Sequence, residues 1–164
     1  MEEKQRARAE KPRKVVKPKK AVSKPTKKKK ALTRSQVVKK LDTAFSQYVR
    51  LYYSDDLGYV TCVTSGERLF WKEAQNGHFY SRRFYPTRWD IDNCHPQSMR
   101  DNVFFHGNYI SYTKFMIDTY GREKVDELEK LAHSTRKYTL PELREMLEMY
   151  ESKVLELKSI KNLG

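Results

Sequence analysis

The sequence predicts an α+β fold: a leading helix, a small strand-rich core and a helical C-terminal half, preceded by a basic tail. Three observations carry this. Apolar residues recur every three or four positions at both ends of the segment beginning at Thr33: Val37, Leu41, Phe45, Tyr48 and Tyr52 near its start, and Leu143, Leu147, Tyr150, Val154 and Leu157 near its end. That is the period of an amphipathic helix. Between them lie short apolar runs punctuated by Gly, Asp and Ser, which read as strands and turns. Residues 1–32, by contrast, hold 14 Lys/Arg against 3 Glu, three prolines and no aromatic residue. Such a segment buries too little apolar surface to offset the entropy of ordering and is expected to be disordered.

The elements follow in order. Thr33 or Ser35 caps the first helix, which runs to about Asp56. Asp55, Asp56 and Gly58 form a turn into a strand from Tyr59 to Val63. Thr64, Ser65 and Gly66 turn the chain, and Leu69 to Trp71 returns it. Residues 74–79 read as another extended segment with His78 near its end, and 80–92 as an Arg-rich loop. A short helix is expected to begin near Pro96 and to carry Ser98, Asp101 and Asn102. Tyr109 to Tyr120 and Lys124 to His133 read as helices separated at Gly121. Thr139-Leu140-Pro141-Glu142 is a capping box with Pro in the first turn of the final helix. The division is therefore a tail (1–32), a leading helix (33–56), a core (57–108) and C-terminal helices (109–164).

The net charge of +13 is concentrated in the tail, since residues 1–32 carry +11 and the remainder +2. A block containing Lys27, Lys28, Lys29 and Lys30 suits a polyanion, and nucleic acid is the expected partner. No apolar h-region marks a secretory signal, and no run approaches the length of a membrane span. Two cysteines, Cys62 and Cys94, make no disulfide framework, which predicts a reducing, cytoplasmic setting. Arg82, Arg83 and Arg88 fall in one loop, where guanidinium groups suit phosphate, and Tyr80, Phe84 and Tyr85 interleave with them. Those aromatics can stack on bases or cover the core. No base-reading motif is visible, so recognition is expected to follow nucleic-acid shape.

The middle of the chain holds the residues with chemistry: Gly77-His78, Asn93, and Ser98-x-x-Asp101-Asn102. With Phe45-Ser46-Gln47-Tyr48-Val49-Arg50, Arg88-Trp89-Asp90-Ile91-Asp92-Asn93, Gly107-Asn108 and the Tyr120–Glu129 stretch, they resemble the phage NinG/Rap recombination endonuclease family. That family belongs to the HNH, or ββα-metal, nucleases, which include endonuclease VII. The resemblance implies a ββα-metal core and a metal-dependent endonuclease acting on branched DNA such as Holliday junctions and D-loops. It implies that His78 is the general base, that Asn93 orients it, and that Asn102 is a ligand for Mg²⁺ or Mn²⁺. Relatives often have Asp before the histidine as a second ligand. Here that position is Gly77, so Asp90, Asp92 or His95 is left to complete the shell. The family's four zinc-ligating cysteines correspond to Cys62, Ser65, Ser98 and Asp101. With one thiol left, a structural zinc is not expected. Symmetric cleavage of a four-way junction needs two active sites, which predicts a homodimer. Two rival readings keep the sequence pattern without the chemistry: an inactive DNA-binding protein on the same scaffold, and a basic nucleic-acid-packaging protein.

Overall fold

The computed structural model describes residues 31–164. The expected tail, with Lys27 to Lys30, lies outside the described residues apart from Ala31 and Leu32.

Helix α1 (Arg34–Tyr52) opens with a capping box, in which the Thr33 hydroxyl accepts the Gln36 N–H and the Gln36 side chain accepts the Thr33 N–H at 2.9 Å. It buries Val37, Leu41, Ala44, Phe45 and Val49. The predicted stripe fails in the last turn, where Tyr52 is 52% exposed and Leu51 is buried instead. Leu51 packs with Val60, Trp71 and Ala74, so a second apolar cluster turns the buried face of the helix around its axis.

Strands β1 (Tyr59–Thr61) and β2 (Arg68–Phe70) pair antiparallel, with Val60 opposite Leu69. Strand β3 (Gln75–His78) pairs antiparallel with β4 (Cys94–Gln97), setting His78 opposite Cys94 and Gly77 opposite His95. The sequence predicts a helix starting near Pro96, but a strand occupies that position. Phe79 N–H donates to the Asn93 carbonyl at 2.9 Å, and alternation along the ladder then puts Pro96 at a non-bonded pair, where its missing N–H is not required. All four residues of β4 are buried, His and Gln included. A strand buried on both faces has no apolar alternation for the sequence to display.

A π-helical turn, Arg100–Phe104, replaces the rest of the expected short helix. Helices α2 (Tyr109–Tyr120) and α3 (Arg122–Ala132) follow, divided at Gly121 with φ +83°. Helix α4 (Leu140–Ile160) starts at the predicted Thr139 capping box and lies along α1, with the Phe45 ring edge-on to Tyr150 at 4.9 Å. A third cluster, Phe79, Tyr112, Met116, Val125 and Leu128, joins α2 and α3 to the end of β3.

One charged side chain fixes the sheet against α1. The Arg50 guanidinium donates to the carbonyls of Ser46, Trp71 and Ala74 at 3.0, 3.1 and 3.2 Å. These bonds hold the chain that leads into β3. Among the described residues, no helix is long and apolar enough to cross a membrane.

Candidate functional site

His78 lies at the end of β3 and lines a cavity of about 560 Å³, to which Asn102 of the π-helical turn also contributes. The fold brings these two residues together across 24 sequence positions. His78 Nε2 lies 3.0 Å from the Arg88 carbonyl. A carbonyl only accepts, so Nε2 carries the proton and Nδ1 keeps its lone pair. Burial depresses the His78 pKa below its ordinary value, although the Arg88 carbonyl and Asp42 pull it upward. The ring is therefore neutral near pH 7, the form that can accept a proton.

The loop that presents the Arg88 carbonyl is braced from two sides. Asn93 is fully buried, and its Oδ1 accepts the Tyr80 N–H at 2.8 Å. Its Nδ2 donates to the carbonyls of Tyr80 and Thr87 at 2.9 and 3.0 Å. Asn93 thus clips the two ends of the loop together and makes no bond to His78; its hold on the histidine runs through the loop. Arg88, expected to contact phosphate, is the second brace. Its guanidinium forms a two-pronged pair with Asp42 of α1 at 2.9 and 2.6 Å and donates to the Arg82 carbonyl at 3.1 Å. Trp89 Nε1 donates to the same Asp42 carboxylate at 2.9 Å. A guanidinium committed in this way is a strut. Arg82 and Arg83 remain exposed, and Arg82 lines the cavity. Of the aromatic residues of the loop, Tyr85 packs on Trp89 and Tyr138 in the core, and Phe84 lies against the exposed His133.

Two residues expected to complete a metal shell lie elsewhere. Asp92 pairs with Lys124 at 2.7 Å. His95 is fully buried, with Nδ1 3.0 Å from the Tyr112 hydroxyl and Nε2 2.9 Å from that of Tyr120. Because the Tyr112 hydroxyl donates to the Gly77 carbonyl at 3.1 Å, it accepts from His95 Nδ1–H, and Nε2 accepts from Tyr120. Both nitrogens are used, and burial pushes the pKa of His95 down to about 4. Asp90 caps the following turn, accepting the Asp92 N–H at 3.0 Å.

A residue that the sequence reading passed over does line the cavity. Asn76 precedes His78 by two positions on β3, which places both on one face of the strand. Its Oδ1 is buried and has no hydrogen-bond partner. The period-two spacing from His78 was the available signal. His106, with φ +50°, also reaches the cavity.

Gly77 is a packing requirement. A Cβ at this position would lie 2.1 Å from Gln97 Oε1. Gln97 is fully buried and is held by its Nε2, which donates to the Gly107 carbonyl at 2.8 Å and the Thr64 hydroxyl at 3.2 Å. Its side chain takes the space into which a side chain at position 77 would project.

The positions Cys62, Ser65, Ser98 and Asp101 converge. Ser98 N–H donates to Cys62 Sγ at 3.2 Å, Cys62 Sγ lies 3.5 Å from Asp101 Oδ2, and Asp101 N–H donates to Ser98 Oγ at 3.2 Å. Thr64 joins them, its hydroxyl 2.5 Å from Asp101 Oδ2. Burial raises the Asp101 pKa, but hydrogen bonds from Thr64, Cys62, Asn108 and Ser65 outweigh it and hold the carboxyl below its ordinary value. This knot ties the β1–β2 hairpin to the π-helical turn that carries Asn102. Among the described residues, no group of three or more His, Cys, Asp and Glu side chains is placed to hold a metal ion.

Comparison with known proteins gives one family. Residues 1–161 match the model described as "Bacteriophage Lambda NinG protein". The chain is 28% identical over 127 residues to "Protein ninG" of Escherichia phage 933W and of Enterobacteria phage VT2-Sa, covering 77% of this chain and 60% of each relative. It is 26% identical over 127 residues to "Protein ninG" of Escherichia phage lambda, covering 77% of this chain and 59% of that protein. The chain thus spans about three fifths of the length of these curated relatives. No solved structure matches it.

Proposed function

The chain belongs to the NinG family, and from that premise we propose that it is a metal-dependent DNA endonuclease acting on branched DNA in the cytoplasm of an infected cell. The observation that supports this reading best is the pairing of a neutral, oriented His78 with Asn102 in one cavity. His78 Nδ1 accepts the proton of an attacking water, while the Nε2–H bond to Arg88 keeps the ring in the tautomer this requires. Arg82 at the cavity edge binds the phosphate that the water attacks. The residues fit a hard cation: Asn102 and Asn76 both line the cavity, and their side-chain amide oxygens would hold it, that of Asn76 having no hydrogen-bond partner. Mg²⁺ or Mn²⁺ held there would neutralise charge on the scissile phosphate and on the departing 3′ oxygen. Water would complete the shell, since hydrated Mg²⁺ commonly takes few protein ligands. The knot of Cys62, Ser65, Ser98 and Asp101 takes the place of the family's structural zinc, holding Asn102 with hydrogen bonds instead of thiolates.

A second reading is favoured by Gly77. The resemblance implies an Asp ligand at this position in many relatives; this chain has Gly77, and Gln97 fills the space. That suits a protein that binds DNA on the same scaffold without cutting it. A cleavage assay on linear, three-way and four-way DNA, with Mg²⁺, Mn²⁺ or chelator, separates the two. The endonuclease reading expects metal-dependent nicking of branched DNA and a loss of about 10²–10⁴-fold in His78→Ala. Nicking by wild type that His78→Ala leaves unchanged refutes the assignment of the base. No nicking with either metal favours the binding protein.

A further inference from the structure

Six of the fourteen exposed large apolar side chains among the described residues fall within residues 99–110. They are Met99, Val103, Phe104, Phe105, Tyr109 and Ile110, with Phe104 69% and Ile110 87% exposed. Burying such groups is favourable, so a run of them exposed within twelve residues calls for a partner. Their backbone is unusual as well. They ride on the π-helical turn, on the start of α2 and on the connection between them, in which His106 and Asn108 both hold positive φ, at +50° and +46°. Left-handed non-glycine residues and π-turns are costly, and they gather where a site needs them.

We propose that this apolar segment is a wedge for unstacked bases: it stacks against the exposed bases at a DNA branch point and sets the preference for branched over linear duplex. The inference rests on the endonuclease reading of the cavity. Two observations choose this occupant. Val103 and Tyr109 line the cavity beside His78 and Asn102, so any chain bringing a phosphodiester to His78 also brings its neighbouring bases to this segment. A second copy of the protein seated here would close the cavity from which the DNA must be cut. The chemistry around the wedge also suits nucleic acid. The Arg100 guanidinium lies over the Phe105 ring at 5.0 Å, a cation beside an aromatic face, and Arg82 lies across the cavity. Apolar side chains inserted between base steps are a known means of holding bent or opened DNA, and base–aromatic stacking is strong and indifferent to sequence.

The test uses the full chain with Phe104→Ser and Ile110→Ser, singly and together, at positions exposed enough to leave the core untouched. 2-Aminopurine is placed at the branch point of a three-way and a four-way junction, and at the centre of a linear duplex. Wild type is expected to brighten the branch-point probe and to bind junctions more tightly than duplex. The double variant is expected to lose the brightening and at least about tenfold of the junction-to-duplex affinity ratio, with duplex affinity unchanged. His78→Ala is expected to keep both signals, so a failure of the catalytic reading shows as absent cleavage with the binding signals intact. Unchanged brightening and ratio in the double variant overturn the wedge, as does a wild type with no junction preference. Sedimentation is run in parallel; a dimer that becomes monomeric in the double variant while keeping its junction preference assigns the segment to self-association and also overturns the proposal.

Discussion

Asn93→Ala isolates the step between the fold and the chemistry. The side chain is fully buried and makes three hydrogen bonds, to Tyr80 N–H, the Tyr80 carbonyl and the Thr87 carbonyl, at 2.8, 2.9 and 3.0 Å. Truncation leaves one donor and two acceptors without their partner. An unsatisfied buried group costs about 1–3 kcal/mol. Thr87 is itself fully buried, while Tyr80 is only partly so and its groups regain some water. The expected loss is therefore roughly 3 kcal/mol, a large share of a typical domain stability of about 5–15 kcal/mol. Urea denaturation of wild type and variant measures it. Asn93→Asp sharpens the test. It keeps an oxygen for Tyr80 N–H but turns a carboxylate toward two carbonyls, so it is expected to cost at least as much as Ala despite its closer shape. The functional consequence runs through Arg88, whose carbonyl orients His78. The His78 Nε2–H proton resonance is expected to shift or vanish, and kcat to fall more than KM rises. A stability loss under about 1 kcal/mol, or an Asp variant as stable as wild type, refutes the claim that Asn93 staples this loop.

Other outcomes follow from the same structure. The folded-state pKa of His95, pushed to about 4, lies below the ordinary histidine value of 6.5, so His95 favours the folded state above pH 6.5 and loses that contribution as the pH falls toward 4. The interval amounts to roughly 3 kcal/mol at most, and His95→Gln is expected to flatten the stability profile between those pH values; an equally steep profile in the variant refutes it. Gly77→Ala is expected to destabilise by about 1–3 kcal/mol through its contact with Gln97, and the further change Gln97→Ala to recover part of that; additive losses would show that the two do not share one space. Deleting residues 1–32, which carry a net +11, is expected to flatten the salt dependence of DNA binding, by roughly four units if about five charges engage, with low-salt chemistry retained. An unchanged slope means that those charges do not meet DNA.

The sequence was most legible where local chemistry decides structure. The capping box at Thr139 starts the last helix where its side chains predict, and of the two caps offered for the first helix, Thr33 and Ser35, Thr33 is the one used; a cap is a bond between residues three apart. Glycine turns at Gly58, Gly66 and Gly121 held for the same reason: a positive φ is a local requirement. Strand β4 was illegible because neither of its faces meets solvent. Cys94, His95, Pro96 and Gln97 are all buried, and the partners that make this affordable come from residues far away in sequence, such as Tyr112 and Tyr120 for His95 and Thr64 for Gln97. A polar residue satisfied by a distant partner looks, in sequence, like a residue on a surface. The same blindness explains why Asp92 and His95 read as ligands and Arg88 as a phosphate contact.

At four converging positions, too, the bonded partners lie far apart in sequence. It is the family resemblance that aligns Cys62, Ser65, Ser98 and Asp101 with four zinc-ligating cysteines, and no residue type among them except Cys62 argues for a shared location. Yet they meet, bonded through sulfur, hydroxyl and carboxylate. These hydrogen bonds, at 3.2, 3.5 and 3.2 Å, join two tight turns. Gly66 N–H to the Cys62 carbonyl at 2.8 Å and Asn102 N–H to the Ser98 carbonyl at 2.9 Å are those two turns. Asn102, next after Asp101, is carried by the second of these turns to the cavity beside His78.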